Sequence, residues 1–263
     1  MSEERPSQAD EMWRSMLLGD YWQFSAGRRI LKHLPSEPRC KLCAAPFRGA
    51  GAPFMRLIGK APWPKNPKYC GSCFKVLESN HGGAEIPCSL LFADVRGSTR
   101  LAESMRPSEF RALMDRFFET AAAALVEHDA IVDKFVGDEV IGIFIPALNG
   151  ERHAARAIAA ARALMAGTRA SDLPVGVGVH TGIAFVGSVG AGTNVDLTAM
   201  GDPMNVTARL ASAAGAGEIL VSADAAREAG LDDADLERRE LELKGKSEVV
   251  SVVVITPTTE VKR

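Results

Sequence analysis

The sequence predicts an α+β fold whose main domain has a ferredoxin-like βαββαβ order. An apolar, β-branched run at about 88–95 is typical of a buried strand. Two similar runs, at about 130–136 and 139–145, flank a Gly137-Asp138 turn and so predict a β-hairpin. Segments with helical periodicity separate the first strand from the hairpin, and the hairpin from the strands that follow. This alternation of strands and helices indicates a mixed α+β domain.

The helices of this domain are predicted by their first residues and their apolar faces. One begins at Pro107, a favourable first helical residue. Its apolar side chains fall on one face: Phe110, Leu113, Phe117, Ala121, Ala124 and Leu125. An alanine-rich helix is expected over about 151–166, strands near 175–189 and a further helix over 203–214. Short strand, helix and strand elements complete the domain.

The remaining sequence divides into shorter segments. Apolar residues at helical spacing predict an N-terminal helical segment over 1–34, and four cysteines mark a zinc-ribbon-like module over 35–78. A stretch with two glycines and a final proline predicts a linker over 79–87. The main domain is expected over 88–257, and residues 258–263 are expected to form a short tail.

Charge is distributed unevenly along the chain. Residues 1–87 carry 13 Lys and Arg against 8 Asp and Glu, whereas the remainder carries 18 against 25. No apolar run is long enough to cross a bilayer, and the N-terminus is polar and lacks the apolar core of a signal peptide. The expectation is a soluble, cytoplasmic protein with a basic front and an acidic body.

Four of the five cysteines form two Cys-x-x-Cys pairs, Cys40 with Cys43 and Cys70 with Cys73. Two such pairs can place four thiolates around one metal ion, and Zn²⁺ is the ion expected at a structural site. Thiolates alone leave an iron–sulfur cluster as an alternative, and disulfides are disfavoured in a reducing cytoplasm. Cys88 has no such partner and is expected to be a buried apolar thiol.

The region around these cysteines is strongly basic, with eleven basic residues and one acid between Arg28 and Lys75. Part of this charge, Arg39 and Lys41 in particular, can balance a negative thiolate cluster. A surface for nucleic acid, anionic lipid or an acidic partner is the alternative. Because aromatic residues are sparse among the basic ones, nucleic-acid binding is the weaker expectation, and contact with the acidic main domain is the stronger.

Two carboxylates, Asp94 and Asp138, interrupt or close apolar runs where a buried strand would otherwise continue. A carboxylate in such a place costs several kcal/mol unless something cationic meets it. Mg²⁺ is a suitable partner, since it takes one or two protein carboxylates and leaves its other positions to water and phosphate oxygens. The pair therefore predicts a site for divalent metal.

These two segments and three more downstream resemble, in the same order, the catalytic domain of class III nucleotidyl cyclases. The five blocks are Phe92–Thr99 (FADVRGST), Lys134–Glu139 (KFVGDE), Gly176–Gly182 (GVGVHTG), Met200–Leu210 (MGDPMNVTARL) and Leu243–Ser247 (LKGKS). Together they cover about residues 88–256. A single short motif is weak evidence, but five ordered blocks are specific. The resemblance also implies the same ferredoxin-like fold.

The resemblance implies an adenylate cyclase, which converts ATP to 3′,5′-cyclic AMP and pyrophosphate. By the family pattern, two Mg²⁺ or Mn²⁺ ions are held by Asp94, Asp138 and the carbonyl of Val95. Backbone amides at the following turn would bind the β- and γ-phosphates; these belong to Gly97, Ser98 and Thr99. Taken alone, each acid is better explained by a turn or capping role, so the assignment depends on the ordered blocks.

The same pattern assigns a second half-site to the other protomer of a homodimer. Asn205 and Arg209 lie four residues apart, which places both on one helix face. Asn205 would orient the ribose, and Arg209 would stabilise charge on the α-phosphate in the transition state. Lys244 would bind the terminal phosphates.

Two positions bear on the choice of base. Lys134 stands where adenylate cyclases of the family keep a lysine for the adenine edge, and Thr198 stands where many members have Asp. A threonine hydroxyl can pair with the adenine amino group, because it both donates and accepts. This Lys and Thr combination resembles a bacterial subgroup, some members of which respond to bicarbonate.

Two alternatives and two further positions qualify this prediction. The chain could be a catalytically silent cyclase-like domain used for nucleotide binding or dimerisation, or a zinc-ribbon regulator that binds nucleic acid. Gly176 stands where some family members have Arg, which leaves Lys244 and the loop amides to bind the triphosphate. His180 lies in a valine-rich strand and is expected to be a structural histidine.

Overall fold

The structure is a computed structural model. It describes residues 8–20, 28–31, 33, 38–64, 66–79, 82–169, 173–191, 194–242 and 249–256. The chain divides into two compact units. The first, here called the cysteine unit, comprises Met1–Ile86, Ile145–Gly150 and Ala184–Met200. The second, here called the sheet unit, comprises Pro87–Phe144, Glu151–Ile183 and Gly201–Arg263.

The helices of the described residues are numbered in chain order. They are α1 (Gln8–Leu18), α2 (Ala52–Leu57), α3 (Gly71–Ser79), α4 (Ser98–Ser104), α5 (Pro107–Glu127), α6 (Pro146–Asn149), α7 (His153–Arg169), α8 (Asp202–Ala213) and α9 (Ala223–Ala229). None of the helices in these segments is both long enough and apolar enough to cross a membrane.

The strands form one small and one large sheet. They are β1 (Pro62–Trp63), β2 (Asn66–Cys70), β3 (Gly82–Val95), β4 (Ile131–Val136), β5 (Glu139–Phe144), β6 (Val175–Val189), β7 (Asp196–Met200), β8 (Ile219–Ser222), β9 (Glu237–Glu242) and β10 (Val249–Ile255). The large sheet has the order β4-β5-β3-β6-β8-β10-β9, and β7 pairs with β6 outside this path. The chain order β3-α5-β4-β5-α7-β6 confirms the predicted α+β, βαββαβ core.

The core of the sheet unit lies between the large sheet and helices α5, α7 and α9. On α5 the buried residues are Met114, Phe117, Ala121, Ala124 and Leu125, close to the predicted apolar face. Alanines on α7, among them Ala157 and Ala161, are fully buried. Small side chains on this helix therefore let it pack closely against its neighbours, as its alanine-rich sequence suggests.

The segment predicted as a linker over 79–87 is instead mostly strand, since β3 already begins at Gly82. Within the cysteine unit, a Cβ atom at Gly83 would lie 2.6 Å from the Val186 carbonyl oxygen and 2.7 Å from the Gly187 Cα. The paired glycines thus allow two backbones to approach closely. Composition alone does not distinguish this role from that of a flexible linker.

In the cysteine unit, β1 and β2 form an antiparallel pair that leads directly into α3. Cys73 lies in the first turn of this helix, so the module differs from an all-β ribbon. The helix forms because its apolar residues follow a helical period: Phe74 is fully buried and stacks on Trp63 at a centroid distance of 5.7 Å. On α1, Trp13 and Leu17 are likewise buried, as expected for the N-terminal helical segment.

Candidate active site

The two predicted acids lie at the ends of neighbouring strands in the sheet unit. Asp94 is the penultimate residue of β3, and Asp138 lies in the turn between β4 and β5. The Val95 amide donates to the Asp138 carbonyl oxygen at 3.4 Å. Gly137 has a φ of +62°, a left-handed conformation that glycine adopts without strain. The Gly-Asp turn therefore brings the second acid beside the first.

A third carboxylate belongs to this group. Glu139 is the first residue of β5 and pairs directly with Asp94 across the β3–β5 ladder. Burial and the nearby Asp138 raise the pKa of Asp94 to about 6. Burial and the charges of Asp94 and Asp138 raise the pKa of Glu139 to about 7. Both shifts indicate that this corner is short of positive charge.

Glu139 is not among the residues that the sequence predicts for the site. Its position next to Asp138 was visible, but its register opposite Asp94 depends on the pairing of two strands that are more than forty residues apart. A hairpin predicted together with its neighbouring strand could have placed it there, because the residue after a turn faces the end of an adjacent strand.

Arg96 provides the cation that the acid group meets in this structure. Its guanidinium group forms an ion pair with the Asp94 carboxylate and also donates to the Ser212 carbonyl oxygen at 2.9 Å. The Arg96 amide in turn donates to the Pro174 carbonyl oxygen at 2.6 Å, which fixes the backbone of the turn. A divalent cation at Asp94 would therefore compete with a resident arginine.

The donor set fits Mg²⁺ or Mn²⁺. Carboxylate and carbonyl oxygens are the ligands that these hard cations prefer, and Asp94, Asp138 and the carbonyl of Val95 offer them at one corner of the sheet. Burial and repulsion from Asp138 raise the pKa of Asp94, although Arg96 opposes the shift. A bound cation would remove this repulsion.

An open cavity of about 690 Å³ adjoins the turn that follows β3. Its lining includes Arg96, Gly97, Arg100 and Ser104. The predicted phosphate-binding residues Gly97, Ser98 and Thr99 thus lie at its edge or directly next to it in sequence. The two guanidinium groups outnumber the one carboxylate of the lining, that of Glu103, which favours an anionic ligand.

The departure at Gly176 has a steric reason. A Cβ atom there would lie 2.8 Å from the Ala214 carbonyl oxygen and 3.0 Å from the Ala214 Cβ. An arginine at this position would collide with the end of α8, so the cationic side chains of the cavity must come from elsewhere. Arg96 and Arg100 are the ones that the described residues place there.

Asn205 and Arg209 both lie on α8, on the side that the core does not cover. The buried face of this helix is formed by Pro203, Val206, Thr207, Leu210 and Ala211. Asn205 is exposed, and Arg209 is partly exposed. Within the described part of the chain, neither side chain hydrogen-bonds to Asp94 or Asp138. A single chain therefore leaves both groups available to another molecule.

Of the remaining predicted site residues, two belong to different units and one falls outside the described residues. Lys134 projects from β4 in the sheet unit, with its Nζ 3.5 Å from the Asp133 carboxylate. Thr198 is a buried residue of β7 in the cysteine unit. Lys244 falls in 243–248, outside the described residues. His180 is buried and shares a hydrogen bond of 2.8 Å with the Ser222 hydroxyl, as expected of a structural histidine.

The four paired cysteines form a second candidate site, within the cysteine unit. Their sulfur atoms all lie within 4.8 Å of one another, and all four residues are buried. The Sγ atoms of Cys43 and Cys70 are 3.8 Å apart. Four sulfurs at metal–sulfur distances of about 2.3 Å in a tetrahedron are separated by about 3.8 Å. The cluster therefore fits one tetrahedral metal ion.

Local hydrogen bonds to the sulfur atoms help to fix the geometry of this cluster. The Cys70 amide donates to the Cys40 sulfur at 3.2 Å, and the Lys60 Nζ lies 3.8 Å from the Cys43 sulfur. A hydrogen bond with Cys40 lowers the pKa of Cys70 to about 7, whereas burial raises the pKa of Cys40 and hydrogen bonds with the other cysteines raise the pKa of Cys73. A bound cation would favour the thiolate form of all four. The fifth cysteine, Cys88, is buried in β3 and is not part of the cluster.

Several of the basic residues around the cluster act within the module. Arg28 donates to the carbonyl oxygens of Lys41 and Leu42 at 3.0 and 2.9 Å. Arg39 donates to the Ala44 carbonyl oxygen at 3.3 Å. These contacts brace the first Cys-x-x-Cys loop, so part of the basic charge has a structural role rather than forming a free surface for nucleic acid.

Comparison with known proteins identifies the family. The family model described as "Adenylate and Guanylate cyclase catalytic domain" matches residues 84–256. Adenylate cyclase 1 of Rhizobium meliloti (strain 1021) is 33% identical over 150 residues, which cover 52% of this chain and 23% of that protein. This chain thus spans about a quarter of the length of that relative.

Solved structures agree on the fold. The adenylyl cyclase CyaB from P. aeruginosa superposes with a TM-score of 0.61 at 26% identity, covering 68% of this chain and 98% of that chain. The guanylyl cyclase Cya2 gives a TM-score of 0.62 at 24% identity, covering 66% and 93%. Since the match to the family model includes the acid group, the β4–β5 hairpin and α8, and extends over more than half of the sequence, the chain belongs to the family of adenylate and guanylate cyclase catalytic domains.

Proposed function

We propose that the protein is an adenylate cyclase that converts ATP to 3′,5′-cyclic AMP and pyrophosphate. The observation that carries this proposal is the acid group at the end of β3. Asp94 and Asp138 lie beside each other with a raised pKa at Asp94, next to a turn that opens into an arginine-lined cavity. A site of this kind combines a cation position with an anion position, which a metal-bound triphosphate requires.

The reaction needs the ribose 3′-hydroxyl to attack the α-phosphate in line while pyrophosphate leaves. Two Mg²⁺ or Mn²⁺ ions, held by Asp94, Asp138 and the carbonyl of Val95, would supply Lewis-acid activation and charge neutralisation. The amides of Gly97, Ser98 and Thr99 bind the terminal phosphates, as does Lys244. The guanidinium group of Arg96 exchanges the Asp94 carboxylate for these phosphates, since the metal ions take over the carboxylate and the phosphates are the other anionic partner within its reach.

Base selection is assigned to Lys134 and Thr198. An ammonium group donates to an acceptor on the adenine edge, and a threonine hydroxyl accepts from the adenine amino group. Guanine reverses this pattern at its six-position, where a carbonyl oxygen replaces the amino group. Lys134, exposed on β4, is only a donor. It therefore provides no acceptor for the N–H groups of the guanine edge, as a carboxylate would, and this favours ATP.

The second half-site is assigned to another copy of the chain, in a homodimer with two shared sites. Asn205 and Arg209 are held on the uncovered side of α8, and among the described residues neither side chain hydrogen-bonds to Asp94 or Asp138. In this arrangement Arg209 from one protomer stabilises the charge that develops on the α-phosphate bound by the other. Asn205 orients the ribose of the same nucleotide.

The cysteine cluster is assigned to a structural Zn²⁺, in a module with a regulatory or dimer-bracing role. The tetrahedral sulfur spacing supports this assignment, and an iron–sulfur cluster is the alternative. Regulation by bicarbonate, as in some members of the Lys and Thr subgroup, is a further hypothesis. Unchanged turnover on adding bicarbonate at constant pH would remove it.

The proposed activity is tested by incubating the purified protein with Mn²⁺ and either ATP or GTP. Formation of cyclic AMP from ATP, abolished by chelation and exceeding cyclic GTP formation, is expected. Binding of ATP without turnover by a folded dimer would instead support the silent nucleotide-binding domain. Preferential formation of cyclic GTP would overturn the roles of Lys134 and Thr198.

A mixture of two inactive variants tests the shared site. Asp94→Ala and Arg209→Ala remove opposite halves, so each homodimer should be inactive, whereas a heterodimer contains one intact site. With equal amounts and free exchange of subunits, recovery of about one quarter of wild-type activity is expected. An absence of recovery, despite heterodimers detected by mass spectrometry, would show that both halves lie in one chain.

A further inference from the structure

Asp196, the first residue of β7, is held by three side chains of the cysteine module. Its carboxylate accepts from the Lys41 Nζ at 2.8 Å, from the Lys68 Nζ at 2.6 Å and from the Tyr69 hydroxyl. All these residues belong to the cysteine unit. Lys41 shows only 5% of its side chain to solvent, and Tyr69 shows none. The contacts from Lys41 and Tyr69 are therefore partly buried and charge-assisted, whereas the contact from Lys68, whose side chain is 56% exposed, is open to solvent.

Lys41 and Tyr69 also hydrogen-bond to the backbone of β7 at the next residue. The Leu197 amide donates to the Tyr69 hydroxyl at 2.8 Å, and the Leu197 carbonyl oxygen accepts from the Lys41 Nζ at 2.6 Å. Side chain and main chain of consecutive residues are thus fixed by the same two groups, Lys41 and Tyr69.

Lys41 and Tyr69 both lie in the loops that carry the cysteine cluster. Lys41 lies between Cys40 and Cys43, and Tyr69 directly precedes Cys70. The Lys41 amide donates to the Lys68 carbonyl oxygen at 2.8 Å, which joins the two loops. A tetrahedral ion would join Cys40 and Cys43 of the first loop to Cys70 and Cys73 of the second, so we expect the spacing of these loops, and with it the spacing of Lys41 and Tyr69, to depend on an ion in the cluster.

The position of strand β7 depends on these contacts from Lys41 and Tyr69, because the strand has a single strand neighbour among the described residues. It pairs with β6 from Asp196 opposite Val189 to Met200 opposite Phe185. Thr198 lies two residues after Asp196, opposite Gly187, which offers no side chain to pack against it. The position of Thr198 is therefore set by the β6 ladder on one side and by the Asp196 anchor at the end of its strand.

We infer that Asp196 is a positioning residue through which the metal-loaded cysteine cluster fixes Thr198 for recognition of adenine. The role of Thr198 rests on the proposed function, whereas the anchoring of β7 by the cluster does not. In this scheme the cysteine module determines nucleotide affinity and base preference, because a displaced hydroxyl leaves the adenine amino group unpaired. Loss of metal and loss of the Asp196 carboxylate should have the same effect on β7.

The anchor is tested by hydrogen exchange in residues 196–200 of the full-length, metal-loaded protein. Asp196→Asn and Tyr69→Phe should each speed exchange there by about tenfold, the factor that follows from the loss of one buried hydrogen bond to a charged group. Chelation should have a similar effect on the wild type and little further effect on either variant. Asp115→Asn, which removes an exposed helical ion pair with Arg111, is the matched control.

The link to base recognition is tested by binding of 3′-deoxy-ATP and 3′-deoxy-GTP, which lack the attacking hydroxyl. In both variants the Kd for the adenine analogue should rise about tenfold and the preference over the guanine analogue should fall. Unchanged exchange in 196–200 after both substitutions and after chelation would overturn the anchor. Faster exchange with unchanged analogue binding would overturn the role in recognition. If the wild type binds analogue but forms no cyclic AMP, the proposed activity fails while both measurements still decide this inference.

Discussion

Replacing Asp94 with asparagine is expected to lower cyclic AMP formation by about 10³-fold, the effect of losing several kcal/mol of metal-dependent transition-state stabilisation. Asparagine keeps the shape of the side chain but removes the charge that a divalent cation requires. The loss should appear in kcat at saturating Mn²⁺, because weaker metal binding alone could be overcome by more metal. A steady-state assay across Mn²⁺ concentrations measures it.

The same substitution is expected to stabilise the metal-free protein by about 1 kcal/mol at neutral pH. Burial and Asp138 raise the pKa of Asp94 to about 6 in the folded state, against an ordinary value near 4. A carboxyl with a raised folded-state pKa destabilises the fold when it is ionised, so the cost is fully present above about pH 6. The gain from asparagine should shrink as the pH falls from 6 towards 4.

Urea unfolding of both proteins in chelator, at several pH values, measures this gain. Asp224→Asn, which removes an exposed carboxylate paired with Arg227, should change stability by no more than about 0.5 kcal/mol. Saturating Mg²⁺ should cancel the advantage of Asp94→Asn, because only the wild type gains from the cation. Retained activity in Asp94→Asn would contradict its assignment as a metal ligand.

The parts of this site that could be predicted from sequence are those encoded by local patterns. Asp94 closes an apolar run, and Gly137-Asp138 forms a turn between two such runs, so a hairpin carrying an acid follows from strand and turn preferences. The two helices whose apolar residues recur at helical spacing, α5 and α7, were predicted for the same reason. Periodicity within one segment carries this information.

The parts that could not be predicted arise from contacts between distant segments. Glu139 joins the acid group through strand register, and the guanidinium group of Arg96 is held beside Asp94 by the Ser212 carbonyl oxygen, 116 residues away in sequence. Lys41 pairs with Asp196, 155 residues away in sequence. A single sequence contains no local pattern that would pair these two charges, since each resembles an ordinary charged residue among its sequence neighbours.

The basic charge near the cysteines illustrates the same limit. The sequence indicated that Arg39 and Lys41 could balance the thiolates, with contact to an acidic domain as the broader expectation. In the structure Arg39 instead braces a carbonyl oxygen within the module, and Lys41 pairs with one specific carboxylate, that of Asp196. A count of charges predicts the sign of a partner, but geometry decides which carboxylate it is.

Replacing Cys40 with serine is expected to abolish tight metal binding by the module and to lower the free energy of unfolding by about 4 kcal/mol. The wild type should contain one zinc ion per chain, and the variant should contain none after dialysis against a weak chelator. The cost is large because Cys40 is buried, and its sulfur also accepts from the Cys70 amide. Elemental analysis and urea unfolding measure the two effects.

Cys88→Ala is the matched control, because it removes a cysteine that is equally buried but outside the cluster. It should keep one metal ion per chain and pay only the cost of a small core cavity, about 1 kcal/mol. Replacing zinc by Co²⁺ should give the absorption of a tetrahedral tetrathiolate site in the control and not in Cys40→Ser. Iron and acid-labile sulfide in the protein as isolated would favour a cluster over zinc. An unaltered metal content in Cys40→Ser would show that the four sulfurs are not the ligands, and the dependence of Asp196 and β7 on that ion would fail with it.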